Sequence, residues 1–116
     1  MGGPRCGPCF ALARWVDQHH DILEKDYVIL KIMGGFDAHS EEVIGQFRDS
    51  DGGIPWHAII EPDGEPLVTS DGPLGNIGMP GSVEGLRHFR KMLEGTANHM
   101  TAQEIDGLIE SLSPDE

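Results

Sequence analysis

Cysteine is almost missing from this 116-residue chain: Cys6 and Cys9 are the only two. A structural zinc site needs four ligands, commonly two C-x-x-C pairs or one pair with a later H-x3–5-H. No second cysteine pair exists, and no spacing among His19, His20, His39, His57, His88 and His99 supplies the second half. Bases are also scarce, 8 against 20 acids, for a net charge of −12. Such a surface repels phosphate backbones and anionic headgroups, so neither nucleic acid nor a membrane surface is an expected partner. No run approaches the ~20 apolar residues of a membrane span. Met1-Gly2-Gly3-Pro4-Arg5 lacks the apolar stretch of a signal peptide. As written, a cytoplasmic protein is expected. At 38% hydrophobic residues, with Gly 16 and Pro 8, the chain has enough for one core joined by many turns.

What is present is concentrated in Cys6-Gly7-Pro8-Cys9, followed at once by the helix-like run Phe10-Ala11-Leu12-Ala13-Arg14-Trp15-Val16. Two thiols two residues apart close a small ring as a disulfide. A loop so short removes little unfolded-state entropy, so a purely structural role gains little. At a helix start the unpaired N–H groups and the positive dipole end favour a thiolate on the first sulfur. Arg5 adds a neighbouring cation. The residues point to a redox-active pair.

Along the chain, Leu12, Trp15, Val16, His19, Ile22 and Leu23 recur at helical spacing and predict a helix over 9–24 with His19 half-buried on its core face. The nearly continuous apolar run in 26–33 predicts a strand covered on both faces and ended by Gly34-Gly35. Ser40 suits an N-cap, with Glu41 and Glu42 in the first turn of a helix directing Val43, Ile44 and Phe47 inward until Asp51-Gly52-Gly53 breaks it. Strands over 56–60 and 66–70 flank the turn Glu61-Pro62-Asp63-Gly64 and should be antiparallel. The Gly- and Pro-rich stretch 71–81 reads as an irregular loop. Ser82 caps a helix through about residue 93 that buries Val83, Leu86, Phe89 and Leu93, with Gly95 as its stop. Thr101 and Glu104 make a capping box ahead of Ile105, Leu108, Ile109 and Leu112, a last amphipathic helix expected to dock on its own domain.

Gly53-Ile54-Pro55 before the hairpin is a second candidate element, because an apolar residue followed by proline at a strand entry suits a cis peptide bond. Together the two elements resemble the thioredoxin family. Its pattern is C-G-P-C opening a helix, then a strand, a helix, a G-[IVT]-P loop with cis proline, a hairpin and a closing helix. The resemblance covers roughly 5–94 and implies a thioredoxin-like α/β fold, a sheet flanked by helices, over 1–96, with a helical extension over 97–116. It also implies a protein-disulfide reductase: Cys6 attacks, Cys9 resolves, Gly7 and Pro8 set the local geometry and reducing poise, Pro55 sits against the disulfide, and the Ile54 backbone pairs with an extended substrate. No bound cofactor or metal is implied. The implied partners are protein disulfides and an upstream electron donor. Trp56 is read as packing beside the site and His57 as a strand residue facing solvent.

Two departures set further expectations. Arg5 stands where the family has tryptophan, which should stabilise the thiolate and make the couple less reducing. Only five residues precede Cys6, where the family has a central strand and its buried acid; Lys31 matches the lysine that accompanies that acid. The segments 26–33 and 56–60 normally flank that strand, and without it their edges invite another chain. A chain incomplete at its N-terminus is the favoured explanation, which leaves a periplasmic or secreted location open. The others are direct pairing of the remaining strands and a second chain filling the gap as a homo-oligomer. A non-catalytic binding module using the Ile54-Pro55 groove, or a metal-delivery protein using Cys6 and Cys9, are the alternative functions.

Overall fold

The computed structural model describes residues 1–3, 5–33, 39–48 and 53–113. Helix α1 spans Gly7–Gln18, and the chain bends at His19 before the single turn α2, His20–Leu23. The expected helix over 9–24 is thus two. The His19 backbone leaves the helical region (φ −115°, ψ 18°), while its ring Nδ1 lies 2.9 Å from the Trp15 carbonyl, which satisfies this half-buried side chain locally. Helix α3, Ser40–Gly45, begins one residue earlier than expected. Its N-cap is His39, in the left-handed region at φ 59°, and not Ser40. The expected stops at Gly34-Gly35 and Asp51-Gly52, and the side chain of Glu41, lie outside the described residues.

Strands β1 (Ala58–Ile60) and β2 (Pro66–Thr69) form the expected antiparallel hairpin, with an irregularity between Ile59 and Ile60 where Pro66 has no N–H to give. The stretch expected to be irregular holds a second small hairpin, β3 (Asp71–Gly72) with β4 (Gly75–Asn76). Helix α4 spans Val83–Thr96; the Ser82 hydroxyl accepts the Gly85 N–H, and the helix runs through Gly95 rather than stopping there. Its inward face is Phe89, Met92 and Leu93, whereas Val83 is 68% exposed, against expectation. Helix α5 spans Ala102–Leu112 with the capping box of Thr101 and Glu104 in place. It packs on α4, and Ile105, Leu108, Ile109 and Leu112 share one buried cluster with Trp15, Leu23, Phe89, Met92 and Leu93. Burying each such side chain stabilises by about 1.5–3 kcal/mol, so α5 is a wall of the core. The described residues therefore form a mixed α/β arrangement of five helices and two antiparallel two-stranded sheets. None of these helices is long and apolar enough to cross a membrane.

The segment 26–33 is not a strand. Its side chains alternate as a strand's do, with Tyr27 and Ile29 against the core and Val28 and Leu30 out at 100% and 77% exposure. A strand also needs a partner, and the one here is short. Gly2 donates its N–H to the Ile32 carbonyl at 2.9 Å and forms a parallel bridge with Met33. Met1 in turn exchanges two backbone hydrogen bonds with Trp56 (2.5 and 3.1 Å). Met1 and Gly2 thus join the end of 26–33 to the chain just before β1. The other end of the segment is tied by Asp26, whose carboxylate accepts the N–H groups of Asn98, His99 and Met100 at 2.8, 2.9 and 2.8 Å. Lys31 pairs with Asp17 of α1.

Candidate functional site

The site is built on the first turn of α1. Cys6 is the N-cap, with extended backbone (φ −104°, ψ 101°), and its Sγ accepts the Cys9 N–H at 3.1 Å. A helix start leaves such N–H groups without partners, and the i+3 spacing of the motif puts one of them on this sulfur. Pro8 lies in the first turn, where its missing N–H costs nothing. Cys6 and Cys9 are joined, with their sulfurs 2.12 Å and their Cα atoms 5.2 Å apart. Their exposure differs: Cys6 is half-buried and Cys9 is buried at 8%. Gly7 and Pro8 between them are exposed.

Ile54 and Pro55 come to the same place from 48 residues away. The Cys6 Sγ lies 3.8 Å from the Ile54 carbonyl oxygen. The Ile54–Pro55 bond is cis, Pro55 is buried and Ile54 is 41% exposed. This loop is held from behind by residues the sequence reading passed over. The Asn76 side-chain amide in β4 donates to both the Gly53 and Pro55 carbonyls, at 2.8 and 3.0 Å. Its oxygen accepts from the fully buried Ser70 hydroxyl at 2.7 Å, and Ser70 Oγ accepts the His57 N–H at 3.0 Å. Arg48 donates to the Gly53 carbonyl (2.9 Å) and stacks over the Trp56 ring at 5.3 Å. Trp56 is 2% exposed and donates its indole N–H to Asp71 at 3.0 Å, so it packs beside the site as expected.

Gly2 and Gly3 complete the site. A Cβ added to Gly2 would stand 2.9 Å from the Cys9 Cβ, and one added to Gly3 would stand 2.9 Å from the Ile54 Cδ1. The backbone of this arm fills the space between the first turn of α1 and the 53–55 loop, an approach that only glycine permits. The paired glycines before the motif were the signal for it in the sequence.

One site-region residue differs from expectation. His57 does not face solvent. Its ring stands edge-on to Phe89 at 5.6 Å, and its Nε2 is buried with no hydrogen-bond partner among the described residues. Burial pushes its pKa down to about 4, helped by the nearby Met1 amino group and His88 and partly opposed by a hydrogen bond with the Gly78 backbone. Arg5 is exposed and forms no ion pair among the described residues. No histidine or carboxylate gathers with Cys6 and Cys9 in a metal-holding cluster among the described residues. The one such group, His20, Asp21 and Glu24, is fully on the surface.

No protein-family model, no curated protein and no solved structure matches this chain. What the site does follows from its own atoms.

Proposed function

We propose that the chain is a thioredoxin-like thiol–disulfide oxidoreductase that reduces protein disulfides. The observation that carries this is the asymmetry of the two sulfurs: Cys6 is accessible at the helix N-cap with a backbone N–H directed at its Sγ, and Cys9 is buried behind it. An N–H donor and the positive helix end favour the Cys6 thiolate, the form that attacks. Attack on a substrate disulfide joins Cys6 to one substrate sulfur and expels the other as a thiolate. Cys9 then attacks the Cys6 sulfur and expels the second substrate thiolate. Two electrons pass to the substrate, and the Cys6–Cys9 disulfide remains. A separate dithiol donor returns the pair to the reduced state. Ile54, 41% exposed beside Cys6, suits backbone pairing with an extended substrate segment.

The order of elements supports the finer fold reading: a dithiol helix, the 26–33 segment beside the arm that leads into that helix, then α3, the Ile54-Pro55 loop, the β1–β2 hairpin and α4. The test is insulin reduction by dithiothreitol. The protein should accelerate precipitation, Cys6→Ser should abolish the effect, and Cys9→Ser should accumulate a mixed disulfide through Cys6. No acceleration, or full activity in Cys6→Ser, overturns the proposal.

A further inference from the structure

A cavity of about 220 Å³ opens between the β3–β4 hairpin and the outer face of α4. Its hairpin side is apolar, formed by Pro73 and Leu74 at the tip and by Ile77 just after β4. Gly72 pairs with Gly75, so Pro73 and Leu74 make a two-residue turn, which Gly75 closes at φ 109°. Leu74 is left 84% exposed and outside the core cluster, whereas Ile77 packs against that cluster. The α4 side carries charge. Arg87 and Lys91, one helical turn apart, both line the cavity, and neither makes a hydrogen bond or ion pair among the described residues. Lys25, Lys31 and Arg90, by contrast, are all paired with acids. Like charges at this spacing repel each other, and in a chain of net charge −12 no acid stands between these two. His88 beside them is a fixed wall. Its Nε2 lies 2.8 Å from the Thr69 carbonyl, which only accepts, and its ring lies so near Gly72 that a Cβ there would come within 3.3 Å. Glu84 is the one acid of the lining, a turn before Arg87 and two turns before Lys91.

Room, an apolar wall and two unpaired cations together define a ligand. A cavity of ~150 Å³ among apolar side chains already holds a benzene ring, so this one takes a ring with a short chain. We propose that the cavity binds a small monocarboxylate whose apolar body is the size of one aromatic ring. The body packs against Leu74 and Ile77 beside the His88 ring, and the carboxylate pairs with Arg87 and Lys91. The guanidinium of Arg87 can offer two parallel N–H groups to such an anion, and the shared counter-charge relieves the repulsion between the two cations. Glu84 fixes the orientation, since a carboxylate at that end meets like charge. It also selects against a second carboxylate on the body, which would be set against it. Covering Leu74 supplies the apolar burial that the hairpin tip lacks by itself. This site uses neither cysteine, so it stands or falls apart from the redox chemistry.

Amide NMR titration of the full chain with 3-phenylpropanoate tests the proposal. Saturable shifts should appear at millimolar ligand and be confined to 72–77 and 84–91. The neutral 3-phenylpropanamide keeps the ring and loses the charge, and should bind about 3–10-fold more weakly. Acetate keeps the charge and loses the ring, and should bind at least about tenfold more weakly. Benzylsuccinate, with a second carboxylate, should also bind more weakly than 3-phenylpropanoate. In the double variant Arg87→Gln with Lys91→Gln the acid and the amide should bind alike, and Leu74→Ser should weaken both. These three side chains are exposed, so the variants should keep the parent fold, and the ligand comparisons need only the parent chain. The Cys6→Ser chain should respond like the parent. Absence of saturable shifts, shifts centred elsewhere, or equal binding of the amide, acetate or benzylsuccinate each overturns the proposal. A preference for the acid that survives in the double variant overturns it as well.

Discussion

Gly2 lies against Cys9 so closely that a methyl group on its Cα would overlap the cysteine, 2.9 Å from Cβ and 3.4 Å from Sγ. Cys9 is fixed in the first turn of α1, and Gly2 is fixed by its bond to Ile32, so neither yields easily. Gly2→Ala should therefore destabilise the oxidised protein by about 1–3 kcal/mol, the usual cost of overpacking. Gly7→Ala is the control, since a Cβ there meets nothing within 4 Å. Urea denaturation of both variants checks this; equal midpoints refute the close fit.

The two bonds that Asn76 donates to the Gly53 and Pro55 carbonyls hold the loop that faces Cys6. Asn76→Asp replaces a double donor by an acceptor set against two carbonyl oxygens. Each lost bond to a partly buried group costs about 1–3 kcal/mol, and the loop should loosen. Reduction by Asn76→Asp should show a raised KM for a peptide disulfide with Cys6 alkylation little changed. An unaltered KM counts against the loop as a substrate-facing element.

Asp26 caps the turn at 98–100, tying the start of the 26–33 segment to the approach of α5. Burial opposes its ionisation, but three backbone N–H donors and His99 outweigh it, so its pKa is lowered. A lowered folded pKa stabilises above the unfolded value, about 3.9, and that contribution disappears as pH falls below it. Asp26→Asn should lose about 1–3 kcal/mol at pH 7 and show less acid destabilisation between pH 4 and 2 than the parent. Parallel pH–stability curves for the two proteins rule this out.

His57 acts in a different window. With a folded pKa of about 4 against an ordinary 6.5, it is neutral in both states above pH 6.5. Between pH 6.5 and 4 the unfolded chain takes up a proton that the folded ring refuses, so stability declines as pH drops, by about 3 kcal/mol at most. His57→Leu, which keeps the contact with Phe89, should flatten that decline. Thermal melts at pH 7, 5.5 and 4.5 read it directly, and an unchanged slope removes His57 as the cause.

Arg5 gives a prediction about potential. A cation preceding an N-cap sulfur favours the thiolate and so the dithiol, placing the couple above about −270 mV. Because Arg5 is exposed and unpaired among the described residues, water screens it, and an exposed charge contributes ~0.2–1 kcal/mol. Arg5→Ser should therefore shift the potential only about 5–20 mV more negative. A glutathione redox titration measures both; a parent value below the stated limit, or a shift of opposite sign, refutes it.

Local chemistry was legible in the residues themselves. The dithiol at the start of α1, the Ser82 cap, the Thr101–Glu104 capping box, the β1–β2 hairpin around its Pro-Asp-Gly turn and the cis bond before Trp56 each depend on a few neighbouring positions. Such features are decided within a turn or two of chain, which is the range over which sequence pattern speaks. The break at His19 was missed because apolar spacing continues across it, and the left-handed His39 because Ser40 beside it has the side chain of an N-cap.

What only the tertiary structure decided involves partners distant in the chain. The run 26–33 has the composition of a buried strand, yet strandhood needs hydrogen-bonding neighbours, and Met1 and Gly2 supply them at one end. His57 reads as an outward residue by alternation, but Phe89 from α4 closes over it. Asn76, in a stretch with the composition of a loop, reaches back to hold the Ile54-Pro55 carbonyls because a two-residue hairpin turns it inward. The sequence by itself determined the local caps and turns: the C-G-P-C pair at a helix start, the Ser82 and Thr101 caps and the Pro-Asp-Gly hairpin turn. Long-range packing and backbone pairing decided how the 26–33 segment is joined to the chain before β1 and what stands behind the sulfur pair.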